Sequence, residues 1–90
     1  MNIIDRAKDK VKEAEYQVIL TEMLNHFMQS YMWPMREDLA KGFKMSKPTL
    51  DRRTREMHEK GLVTVKGNRY GVTRKGQDLV GILIEFIRVK

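Results

Sequence analysis

Ile4, Ala7, Val11, Ala14 and Val18 recur at alternating steps of four and three, with Lys, Asp and Glu among the residues between them. Such a spacing draws one narrow apolar line along a helix. From Ile19 the line widens to take in Leu20, Met23, Leu24, Phe27, Met28 and Tyr31, the breadth a helix needs to cover a core. No glycine or proline intervenes before Pro34. The pattern predicts one long helix from Ile3 to Ser30. Its first half is too narrow-seamed for a globular core and is expected to pack on another subunit, with Ile4, Val11 and Val18 in that interface.

Proline disfavours helical geometry in the residue before it and donates no backbone hydrogen bond, so Trp33-Pro34 is expected to end the helix, with a short extended stretch after it. Arg36 to Lys41, with Leu39 and Ala40 turned inward, reads as a second helix of little more than one turn, stopped by Gly42. Phe43, Lys44 and Met45 form the next turn. Ser46 can accept a hydrogen bond from an unpartnered amide, and Pro48 costs nothing in a first turn, so a third helix starts at Lys47 and runs to Lys60 before Gly61. The run Leu62-Val63-Thr64-Val65, with three β-branched residues, favours a strand, Lys66-Gly67-Asn68-Arg69 a tight turn, and Tyr70-Gly71-Val72 the returning strand. Thr73 caps a last helix expected to reach residue 90. It carries Leu79, Val80, Ile82, Leu83, Ile84, Phe86, Ile87 and Val89, more apolar surface than one small core can cover. Leu79, Ile82, Leu83, Phe86 and Ile87 are therefore assigned to the dimer interface.

The expected fold class is mainly α with a small β-hairpin, a single domain over 1–90. Residues 1–31 and 74–90 serve dimerisation, and 36–73 form the middle. Ninety residues leave no room for a second domain. The absence of cysteine excludes disulfides and thiolate metal sites and suits a reducing compartment. Nothing in the first twelve residues reads as a targeting segment, and no apolar run reaches the length of a membrane span. A soluble, unprocessed, cytoplasmic chain without membrane contact is expected. Charge changes the picture more: the net is +6, but residues 36–75 carry twelve Lys/Arg against five Asp/Glu, whereas the remainder carries six against seven. A basic middle between near-neutral arms is the footprint of a phosphate-backbone binder.

The order of elements and three stretches of residues resemble the winged helix-turn-helix superfamily. Glu37-Asp38-Leu39-Ala40 resembles the opening of the first motif helix. Ser46-Lys47-Pro48-Thr49-Leu50 through Glu59-Lys60-Gly61-Leu62-Val63 resembles the second helix and its exit into the wing, and Tyr70-Gly71-Val72-Thr73-Arg74-Lys75-Gly76 is similar to the strand-to-helix junction of the MarR and PadR families. Thr54 departs from the pattern, since that position is usually apolar. The resemblance implies a winged helix-turn-helix that places the N-terminal half of its third helix in the major groove of double-stranded DNA.

With Leu50 inward and 100° per residue, Ser46, Thr54 and Met57 fall near it, while Pro48, Asp51, Arg52, Arg55 and Glu59 point away. Lys47, Thr49 and Arg53 lie on the flanks near the N-terminal half, and Ser46, Lys47, Thr49, Asp51, Arg52, Arg53 and Arg55 are the expected DNA contacts of this helix. Arginine donates two bonds to guanine O6 and N7, so Arg52 is the first candidate for base readout and Arg53 the second. Thr49 suits a phosphate or a thymine methyl. Asp51 either orients Arg52 or Arg55 or accepts from a cytosine amine. Lys66, Asn68 and Arg69 at the hairpin tip suit backbone or minor-groove contacts. His26 and His58 stand on different helices without carboxylates at metal spacing, so no metal and no cofactor is expected. Ser46, Asp51 and His58 lie along one helix and cannot converge, which argues against an enzyme.

Two functions share these residues. One is a homodimeric, sequence-specific, nucleoid-associated transcription regulator, most simply a repressor. The other is a plasmid or viral partition adaptor that coats centromere repeats and recruits a partner protein.

Overall fold

The computed structural model describes residues 3–42 and 45–82, with side chains described from Lys10 onward. Its elements are α1 (Ile3–Ser30), α2 (Arg36–Gly42), α3 (Lys47–Glu59), β1 (Val63–Lys66), β2 (Arg69–Val72) and α4 (Arg74–Val80). The chain is thus mainly helical with one small antiparallel hairpin. Phe43 and Lys44 of the expected turn lie outside the described residues.

The core sits against the second half of α1. Tyr16, Ile19, Leu20, Met23 and Leu24 are buried together with Leu39 of α2, Leu50 and Met57 of α3, and Leu62, Val63 and Val72 of the hairpin region. Spacing at 16, 19, 20, 23 and 24 gives α1 one broad inward face. Met28 and Tyr31, expected on that face, are exposed. The helix stops because Tyr31 turns left-handed (φ 58°) after donating to the Phe27 carbonyl at 2.7 Å, two residues ahead of Trp33. Trp33 then folds back to stack on Phe27, ring centroids 4.3 Å apart.

Short-range chemistry sets the remaining ends. The Met35 amide donates to Asp38 Oδ2 (2.9 Å) while the Asp38 amide donates to the Met35 carbonyl (3.0 Å), a reciprocal cap that starts α2. Ser46 Oγ accepts from the Thr49 amide at 3.3 Å to start α3. At the other end Gly61, at φ 77°, donates to His58 while Leu62 donates to Met57, the bond pair of a left-handed helix stop. The hairpin pairs Val63 with Val72 and Lys66 with Arg69. Gly67 takes a positive φ of 62° and Asn68 does not, as a turn with glycine first requires. The extended stretch after Trp33 joins β2 at its edge: the Tyr70 amide donates to the Pro34 carbonyl (2.9 Å), and Met35 bridges Arg69.

The last helix departs from expectation. Thr73 caps it, accepting from the Gly76 amide at 3.1 Å and donating to the Gly61 carbonyl at 2.7 Å. It ends, however, at Val80. Gly81 adopts φ 73°, and the Gly81 and Ile82 amides bond to Asp78 and Gln77, the same stop as at Gly61. The expected helix is therefore not continuous through Gly81: α4 is Arg74–Val80, and residues 83–90 lie outside the described residues. Leu79 and Ile82, assigned to a dimer interface, are half-buried against the chain's own core. Leu83, Phe86 and Ile87 lie outside the described residues. Gly76 permits α4 to cross closely, since a Cβ there would stand 2.3 Å from the Leu62 carbonyl oxygen.

Candidate nucleic-acid interface

Helix α3 is held from within by Leu50, Thr54 and Met57, all buried. Thr54 fills its unusual position by sending its hydroxyl to the Asp51 carbonyl at 3.0 Å, which leaves the methyl for the core. Fixing that face determines the others. Lys47, Arg52 and Arg55 are exposed, Thr49 is half-exposed at the capped end with its hydroxyl accepting from Ser46 Oγ (2.9 Å), and Ser46 is occupied as the cap.

Arg53 does not join the outward set. Its side chain is only 12% exposed, and its guanidinium donates through Nε to Glu15 Oε1 at 2.6 Å and through Nη1 to Glu56 Oε1 at 3.2 Å. Tyr16 donates its hydroxyl to the same Glu56 oxygen at 2.7 Å. These four side chains tie α1 to α3, and the assignment of Arg53 to base readout is corrected to a brace between helices. Burial and then the bond to Glu56 push the Tyr16 hydroxyl up to about 12. Burial raises the Glu56 carboxyl, but the Tyr16 bond and the Arg53 charge together outweigh it, so its pKa falls below the usual carboxylate value. The hydrogen bond to Glu15 leads the causes that raise Arg53.

Asp51 pairs with Arg36 at 2.9 Å rather than with Arg52 or Arg55, both partners being partly exposed. Arg36, at the start of α2, was not among the residues singled out from sequence. With Arg55, His58 and Tyr70 it borders a cleft of about 290 Å³ between α3 and the hairpin. Lys66 and Asn68 are exposed at the hairpin tip. Arg69 turns away from it, donating to the Trp33 carbonyl at 2.6 Å, so its assignment to the tip is also corrected. The backbone pairing of Tyr70 with Pro34 brings that carbonyl within reach.

The surface that remains consists of Lys47, Arg52 and Arg55 on α3, with Lys66 and Asn68 on the hairpin. Among the described residues no group of three or more His, Asp or Glu is placed to hold a metal ion, and no helix is long and apolar enough to cross a membrane. Val11 and Val18, expected in an interface, are exposed on α1; Ile4 lies in α1 with its side chain outside the described set. Comparison with protein-family models, curated proteins and solved structures finds no match to this chain.

Proposed function

We propose that this chain is a sequence-specific, double-stranded DNA-binding homodimer of winged helix-turn-helix type, acting as a transcriptional repressor. In this reading α2 and α3 are the motif helices and the hairpin β1–β2 is the wing. The observation that carries it is the surface of α3. A helix capped at Ser46 and anchored by Leu50, Thr54 and Met57 presents Lys47, Arg52 and Arg55 to solvent, inside the segment that holds the chain's whole excess of positive charge. Rigid support matters because base-edge contacts need side chains aimed to within fractions of an ångström.

Roles divide by chemistry. Arg52, free to extend from the N-terminal half of α3, suits guanine in the major groove, and Thr49 a neighbouring thymine methyl or phosphate. Arg55 and Arg36 flank the cleft beside the hairpin and suit the phosphate backbone, with Asp51 holding Arg36 in place. Lys66 and Asn68 suit the adjacent backbone or minor groove. Dimerisation would set two copies of α3 roughly 34 Å apart on a palindromic site.

The test is duplex binding by fluorescence anisotropy across a salt series. Log affinity should fall linearly with log salt at a slope near −0.9 per phosphate contacted. Arg52→Ala should relax preference at one base position, whereas Lys66→Ala should weaken all sequences alike. A flat salt response removes the reading. A footprint that spreads cooperatively from repeats, instead of stopping at one operator, would replace repression by the partition role.

A further inference from the structure

A cleft of about 470 Å³ opens between α1, the end of α3 and α4, within the ~300–1,000 Å³ typical of small-molecule sites. None of its lining residues belongs to the α3 and hairpin surface described above. Its floor is apolar, made by Tyr16 and Leu62, both all but buried, and by half-buried Leu79. Tyr16 has its hydroxyl hydrogen committed to Glu56 at 2.7 Å, so toward the cleft it adds ring surface rather than a donor.

The rim has the opposite character. Lys12 of α1, Lys60 at the end of α3 and Lys75 of α4 stand around the opening, with Glu13 the one carboxylate among the lining residues. Lys75 Nζ donates to the Lys60 carbonyl at 3.0 Å, which holds its ammonium at the cleft and leaves its other N–H groups available. The ammonium groups of Lys12 and Lys60 make no hydrogen bond or ion pair among the described residues. The carboxylates on the Tyr16 side are already engaged, Glu15 by Arg53 and Glu56 by Arg53 and Tyr16. Three cations far apart in sequence are thus brought by three helices to one apolar hollow.

We propose that this cleft binds a small organic phosphate, a phosphate monoester whose alcohol part is a flat apolar ring. Ammonium groups are compact point charges with rotatable donors, and three of them approaching from different helices suit the terminal oxygens of a tetrahedral phosphate. A planar carboxylate is matched better by the fork of an arginine, and the cleft has none. A phosphate monoester carries about −1.5 to −2 charges at pH 7, which answers a rim where cations outnumber carboxylates. The floor of Tyr16, Leu62 and Leu79, together with the lysine stems, covers one side of the ring. The proposal does not rest on the DNA reading, since it uses different residues and a different ligand.

The experiment is an amide-shift titration by two-dimensional NMR on the full chain without DNA, with phenyl phosphate as the probe. Shifts should gather at residues 12–16, 60–62 and 75–79, and leave Lys47, Arg52 and Lys66 unmoved. Inorganic phosphate should bind roughly 3- to 12-fold more weakly, the loss expected when about half of a phenyl ring goes uncovered. Phenol, without charge, should also bind more weakly. Lys12→Gln and Lys75→Gln should each weaken phenyl phosphate about 2- to 5-fold, as exposed ion pairs do, while Arg52→Ala should bind it like the wild type. Affinity should fall as pH drops through about 6, where the ester takes up its second proton. No shifts in the wild-type chain, shifts centred on Lys47, Arg52 and Lys66, inorganic phosphate binding as tightly as phenyl phosphate, or lysine variants that bind like the wild type would each overturn the proposal. Because no arm involves DNA, such a result leaves the DNA reading to its own salt titration.

Discussion

Arg52 and Arg53 are neighbours with opposite surroundings, and substituting each should produce opposite results. Arg53→Met keeps an apolar stem of similar length and removes the guanidinium from between Glu15 and Glu56, whose side chains are 27% and 24% exposed. Breaking a fully buried pair costs ~3–5 kcal/mol and an exposed one ~0–1 kcal/mol. A site with a buried cation and carboxylates about a quarter exposed falls between, at roughly 2 kcal/mol. For a domain of this size each kcal/mol moves the melting temperature by about 4–8 °C, so a fall on the order of 8–16 °C in thermal unfolding followed by circular dichroism is expected. DNA base preference, measured on the folded variant well below its Tm, should be unchanged. Arg52→Ala should do the reverse, leaving Tm within about 2 °C while reducing discrimination at one position by roughly 5- to 150-fold. If Arg53→Met melts with the wild type and alters base preference, the brace is wrong and Arg53 belongs with the readers.

Gly76→Ala should destabilise by about 1–3 kcal/mol or prevent folding, because backbone at Leu62 is the atom in the way; a denaturant midpoint checks it. Thr73→Ala should cost about 0.5–2 kcal/mol through loss of the α4 cap, with Thr73→Ser restoring most of it. Glu56 has a lowered pKa in the fold; its contribution is complete above its ordinary value near 4.5 and is lost as pH falls through the folded one, so Glu56→Gln should flatten that acid limb. Tyr16 is raised to about 12 from 10.0, so its contribution is complete below pH 10 and is lost on going to 12. Tyr16→Phe should remove that alkaline loss in stability measured against pH.

Local chemistry was legible before any coordinates. The span of α1, the cap at Ser46, the stop at Gly61, the hairpin around Gly67 and the cap at Thr73 each depend on residues within a few positions of one another, where periodicity and capping preferences act. The end of α4 was legible in principle too. Gly81 is a stop residue of the same kind as Gly61, but the apolar run around it in the sequence outweighed that signal.

What the sequence alone determined, then, is the set of elements and which face of α3 turns inward, because both follow from the 3.6-residue period and from short-range hydrogen bonds. Which cations remain available was decided by tertiary structure. Arg53 met Glu15 across 38 positions, Arg69 met the Trp33 carbonyl across 36, and Tyr16 met Glu56 across 40. A helical wheel gives the direction of a side chain and is blind to the partner that another element brings to it. For a basic surface that distinction governs function, since a guanidinium held by carboxylates is a structural brace and one held by water is free to bind phosphate or guanine.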